Sequence, residues 1–200
     1  MRLYGDPVLR KTATTITTFD DALIQLGEDL LETMYHYNGV GLAGPQVGLS
    51  KRIFAALHTD KSEASESEDS PPPETAQEKR ERWGVVGEYV MVNPVITHRN
   101  GVAVDVEGCL SLPGLYYDEV ERADSVTVTF QDVYGKEQQV DAQGHFARVI
   151  QHELDHLDGG LFTDRLPELE RRSFMNTYRR ELADMQREAK AFLKDLKARG

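Results

Sequence analysis

Two hundred residues, 40% of them hydrophobic, fit one domain with a real core rather than a chain disordered throughout. The formal charge of −11 argues against a surface that coats nucleic acid or an anionic membrane, and no specific DNA contact is expected. The single cysteine, Cys109, excludes an internal disulfide, and no apolar run approaches the ~18 residues of a membrane span. The opening seven residues have no apolar stretch of the signal-peptide kind, so a cytoplasmic setting away from membranes is expected.

In chain order, Leu23, Leu26, Leu30, Leu31 and Met34 recur at helical spacing, and Asp20 or Asp21 can cap the start, which predicts a helix over 20–36. Four glycines and Pro45 within 38–48 rule out a helix interior. Residues 52–57 are short and apolar, as in a strand. Apart from prolines, 58–82 holds only Ala64 and Ala76 as apolar members, and 60–78 carries a net −6. It reads as a solvated acidic loop inserted between strands at 54–57 and 89–92.

Val102, Val104 and Val106 alternate with Ala103 and Asp105, and Val126, Val128 and Phe130 alternate with threonines, which predicts strands. Tyr134-Gly135-Lys136 is a turn signal, making 125–141 a hairpin. Residues 146–157 are helical in pattern and are stopped by Gly159-Gly160. Over 168–199, Phe174, Tyr178, Leu182, Met185, Ala189, Phe192 and Leu196 keep one face, which predicts one long helix of net charge +3. Strands grouped between helices indicate an α+β fold with antiparallel sheets.

The chemistry lies in His152-Glu153-Leu154-Asp155-His156. On a helix, i and i+4 share a face, so both histidines can aim at one cation. Glu153 lies about 100° around, where it reaches a water on the metal rather than the metal itself. That is the division of labour in His-Glu-x-x-His sites. About one shuffled chain of this composition in sixty carries such a match by chance. A catalytic site needs a third protein ligand and an open position. The extended zinc-protease pattern finds Gly159 in place but ends on Phe162, which cannot ligate; Glu168, Glu170 or Glu181 would have to serve in the other pattern. Cys109, within Glu107-Gly108-Cys109-Leu110-Ser111, is the better candidate, since one thiolate and two imidazoles leave a net positive centre that acidifies water. A zinc endopeptidase and a saturated structural metal site remain the competing readings.

With these residues in view, the sequence resembles the bacterial peptide deformylase family. Gly39-Val40-Gly41-Leu42-Ala43-Gly44-Pro45-Gln46 resembles its first motif, the Cys109 segment its second, and Gln151-His152-Glu153-Leu154-Asp155-His156-Leu157 its third. The resemblance covers about 1–57 and 84–166. It implies a catalytic domain over 1–167, antiparallel sheets around a central metal-binding helix, and a C-terminal helix over 168–200. It implies removal of the formyl group from N-formylmethionyl nascent peptides, releasing formate. It implies Cys109, His152 and His156 as ligands to Fe²⁺, with Zn²⁺, Ni²⁺ or Co²⁺ able to substitute, although the ligand types by themselves favour zinc. It further implies that Glu153 is the general acid/base for attack of water on the formyl carbon, and that Gln46 and the backbone N–H of Leu110 stabilise the oxyanion. Gly39 and Gly41 are expected to let the substrate run alongside as an added strand, and Val40, Leu42 and Val149 are the candidates for the wall of the methionine slot. Gly44, where the family has alanine, is expected to loosen its loop. His145 is expected to face solvent. Arg171, Arg172, Arg179, Arg180, Arg187 and Lys190 on the C-terminal helix imply transient ribosome docking.

Overall fold

The computed structural model describes residues 1–60 and 75–199. Helix α1 (Asp21–His36) starts at Asp20, whose carboxylate accepts from Leu23 N, and buries Leu23, Leu30 and Met34. Strand β1 (Gly41–Ala43) and a 3₁₀ turn, Gly44–Val47, follow, then β2 (Ile53–Thr59). After α2 (Ala76–Arg82) come β3 (Val85–Asn100), β4 (Ala103–Cys109), β5 (Leu112–Arg122), β6 (Ser125–Gln131) and β7 (Glu137–Gln143). The chain ends in α3 (Gly144–Leu157), α4 (Glu168–Thr177) and α5 (Arg179–Arg199).

An antiparallel five-stranded sheet has the order β1-β2-β3-β6-β7, and β4 and β5 form a separate antiparallel pair. The β6–β7 hairpin turns at Gly135, whose φ of 83° suits glycine. Helix α3 is buried from Phe146 through Leu157. A helix buried on every side must satisfy its own polar groups internally. Gln151 does so by accepting from Ala123 N at 3.1 Å and donating to Ala123 O at 2.9 Å. Apolar cores lie on either side of the large sheet, and a third joins Leu112, Leu115 and Val120 of β5 to Phe162, Phe174, Leu182 and Met185.

Two sequence expectations are corrected. The acidic stretch 61–74 lies outside the described residues, but the segment after it is not all loop. Thr75 and Glu78 form a reciprocal capping box that starts α2, and the buried Lys79 donates to Tyr35 O at 2.6 Å. Likewise 168–199 is two helices, because Tyr178 leaves helical geometry with φ −99° and ψ 24°. The apolar stripe survives the break only in part: Phe174, Leu182, Met185 and Ala189 are buried, while Phe192 and Leu196 are exposed. Among the described residues no helix is long and apolar enough to cross a membrane.

Candidate metal centre

Strand β4 and helix α3 bring together what the sequence separates. Cys109 ends β4, and His152 and His156 lie one turn apart on α3. Their donor atoms all fall within 4.8 Å of one another, with Cys109 Sγ 3.2 Å from His156 Nε2. Sulfur and two imidazole nitrogens at this spacing fit a tetrahedral cation with one position left for water or substrate. Phe162, at the deciding position of the extended zinc-protease pattern, is buried and stacks on His152 with ring centroids 6.4 Å apart. Glu168 pairs with Arg172, and Glu170 accepts from the Tyr117 hydroxyl at 2.8 Å.

Glu153 is buried, and its Oε2 accepts no hydrogen bond among the described residues. Burial, with the Cys109 charge adding to it, pushes its carboxyl up to about 7, against the opposing pull of the two histidines. Its other oxygen explains Gly41: a Cβ there would lie 2.3 Å from Glu153 Oε1. Gln46 sits in the 3₁₀ turn, where its Oε1 accepts from Ala43 N at 2.8 Å. That bond aims the amide nitrogen at Cys109 Sγ (3.6 Å) and Ser111 Oγ (3.4 Å), so the group facing the centre is a donor. Burial disfavours ionisation of Cys109, but the neighbouring His156 and His152 outweigh it and hold the thiol well below its ordinary range.

A cleft of about 530 Å³ opens above these groups. Gly39, Val40, Gly41, Gln46, Leu110, Val149, His152 and Glu153 line it, as does Cys109. Leu42 does not, which corrects the expected methionine wall. It is fully buried in the core beside α1, on the face of β1 opposite the glycine that meets Glu153. Gly44 has a packing reason to be glycine, since a Cβ there would lie 2.9 Å from Lys51 O and 3.0 Å from Leu49 O. His145 is exposed and lies at the cleft.

Sequence reasoning missed the groups that hold the centre in place. His152 Nδ1 lies 2.9 Å from Glu107 Oε2. An ionised carboxylate only accepts, so Nδ1 carries the proton and Nε2 keeps its lone pair. Arg122 donates to both Glu107 oxygens at 2.8 and 2.9 Å, and Arg148 donates at 2.8 Å. Burial would raise the Glu107 carboxyl, but Arg122 and His152 hold it far below the usual carboxylate range. Arg122 also reaches Asp155 at 2.6 Å, and Arg165 bonds the same carboxylate. Burial would raise Asp155 too, yet these two arginines keep it below its ordinary value. The N-terminus is a second omission. Arg2 N donates to Gln46 O, Tyr4 N donates to Ser111 O, and Met1 and Leu3 line the cleft.

Comparison with known proteins agrees with this geometry. Residues 1–172 match the family described as polypeptide deformylase. A peptide deformylase of Thermus thermophilus is 47% identical, with 98% of this chain and 96% of the relative aligned. One from Orientia tsutsugamushi is 43% identical over 86% of this chain and 88% of its own. The crystal structure of a Thermus thermophilus peptide deformylase superposes with a TM-score of 0.80 at 45% identity, covering 94% of this chain and 97% of the other. A Legionella pneumophila peptide deformylase superposes with a TM-score of 0.71 at 35% identity, covering 100% and 96%. A match over most of the chain, on an α+β fold whose central helix carries the two histidines, makes this chain a member of the polypeptide deformylase family.

Proposed function

We propose that this chain removes the N-formyl group from the formylmethionine of newly made polypeptides and releases formate. The observation that carries this reading is the convergence of Cys109, His152 and His156 beside the buried, unpartnered Glu153 oxygen at the floor of a peptide-sized cleft. Cys109, His152 and His156 would hold the metal, Fe²⁺ by family likeness, with Zn²⁺, Ni²⁺ or Co²⁺ able to take its place. When bound, the ion supplies Lewis acidity and lowers the pKa of water.

The remaining work falls to the chain. Glu153 takes a proton as water attacks the formyl carbon and returns it to the leaving amine. A carboxyl raised to about 7 is matched to both steps near neutral pH. Gln46 Nε2 and the Leu110 backbone N–H donate to the developing oxyanion. Gly39 and Gly41 admit the substrate backbone, while Val40 and Val149 meet the methionine side chain. The catalytic unit spans 1–167 and acts in the cytoplasm. The exposed Arg179, Arg180 and Lys190 of the C-terminal helix support transient docking on ribosomal phosphates.

Formate release from formyl-Met-Ala by anaerobically purified protein, with metal content measured on the same sample, tests this. Glu153→Ala should keep the metal and lose about 10²–10⁴ in kcat. Full activity in Glu153→Ala, or cleavage of an unformylated internal peptide instead, would overturn it.

A further inference from the structure

The outer face of the β4–β5 pair carries an apolar stripe that neither core nor centre uses. Val102, Val104, Val106 and Tyr116 are 66%, 58%, 48% and 59% exposed. Val104, Val106 and Gly108 share one face of β4, opposite the buried Glu107, and the register sets Glu121 beside Val104 and Tyr116 beside Gly108. Val106 and Tyr116 also line the cleft, so the stripe runs out of it without a break. Strand β4 has a strand partner on one side only among the described residues. Asp105 is the one exposed charge on β4, between Val104 and Val106, and a contiguous exposed apolar run beside it marks an interaction site. Exposed Glu119 and Glu121 rim the stripe on β5.

We infer that this stripe is a track for the peptide downstream of the cleft, favouring apolar side chains and disfavouring acidic ones. The inference rests on the deformylase reading, which puts the amino end of the peptide at the Cys109 end of β4. From Gly108 to Val102, the residue just before β4, the chain covers about 20 Å, the span of about six extended residues. The formylmethionine and its nearest neighbours fill the cleft, so Val104 and Val102 meet roughly the fourth to sixth residues. An extended peptide beside β4 sets alternate side chains against these valines. The rim carboxylates repel acidic side chains in a salt-dependent way.

The test compares kcat/KM of the metal-loaded full chain for formyl-Met-Ala, formyl-Met-Ala-Ser-Val-Thr-Leu and formyl-Met-Ala-Ser-Asp-Thr-Glu. The apolar hexapeptide should be preferred over the acidic one by about fivefold, from partial burial of two side chains. Val102→Lys with Val104→Lys should erase that preference and leave formyl-Met-Ala turnover unchanged. The shape-conserving pair Val102→Thr and Val104→Thr should narrow it. Equal kcat/KM for both hexapeptides in the wild type would overturn the track, as would a variant that slows all three substrates alike. A concentration-dependent dimer that Val104→Asp dissolves would assign the stripe to a second copy instead. Failure of the wild type to turn over formyl-Met-Ala strikes the deformylase reading itself.

Discussion

Glu107 illustrates how one side chain can govern a centre it does not belong to. It takes the proton-bearing side of His152 and is itself held by two arginines. Glu107→Gln should weaken metal binding by about 10–100-fold, read by competition with a chromophoric chelator, because the imidazole loses its fixed orientation. Unchanged affinity would mean that α3 packing alone sets the ring. The histidines were legible from sequence because their relation is local, one helical turn apart. Glu107, Arg122, Arg148 and Asp155 were not, because their pairing spans 15 to 41 residues and depends on how β5 meets α3. Leu42 was misplaced for a related reason: in so short a strand, nothing local says which face turns to the cleft.

At the scale of elements, the end of the chain is the case where a regular pattern misled. The stripe from Phe174 onward contains no glycine or proline, so the break at Tyr178 has no local signature. It lets Phe174 turn edge-on to Phe162, at 5.8 Å between centroids, and Phe162 in turn stacks on His152. Phe174→Ala should cost about 3–5 kcal/mol and lower Tm, because it empties a buried site between α4 and β5. Equal melting of variant and wild type would show α4 to be a loosely attached element. The capping of α2, by contrast, was readable in Thr75 and Glu78 but was overridden by the acidic composition around it.

The same helix contributes a pH dependence. Arg80 of α2 and Tyr35 of α1 both donate to Glu88 on β3, at 2.6 and 2.5 Å. Burial would raise the Glu88 carboxyl, but these bonds hold it below its ordinary 4.5. A depressed carboxylate adds stability above its unfolded value, and that stability is lost as pH falls through the folded one. Below about pH 4.5, Tm of the wild type should therefore fall more steeply than that of Glu88→Gln. Parallel curves would show that the cluster contributes nothing.

For the whole molecule, the architecture follows from one demand. A helix that buries two histidines, a glutamate, an aspartate and an arginine is too polar to be buried by apolar packing alone. The large sheet covers its apolar side, and β4–β5 supplies the counter-charges. Composition and periodicity gave the α+β class and most strands, since alternation survives any tertiary arrangement. They could not give the separation of β4–β5 from the main sheet, which depends on where the charged face of α3 must go.

Cys109 is both the only thiol in the chain and a wall of the cleft. Alkylation therefore becomes an occupancy gauge that needs no engineered label. A thiolate engaged by a cation is a poor nucleophile, whereas one freed beside two imidazoles reacts fast. Intact-mass analysis after brief iodoacetamide treatment should show one adduct per chain in chelator-treated protein and almost none in the metal-loaded form. Equal labelling of both would remove Cys109 from the proposed ligand set.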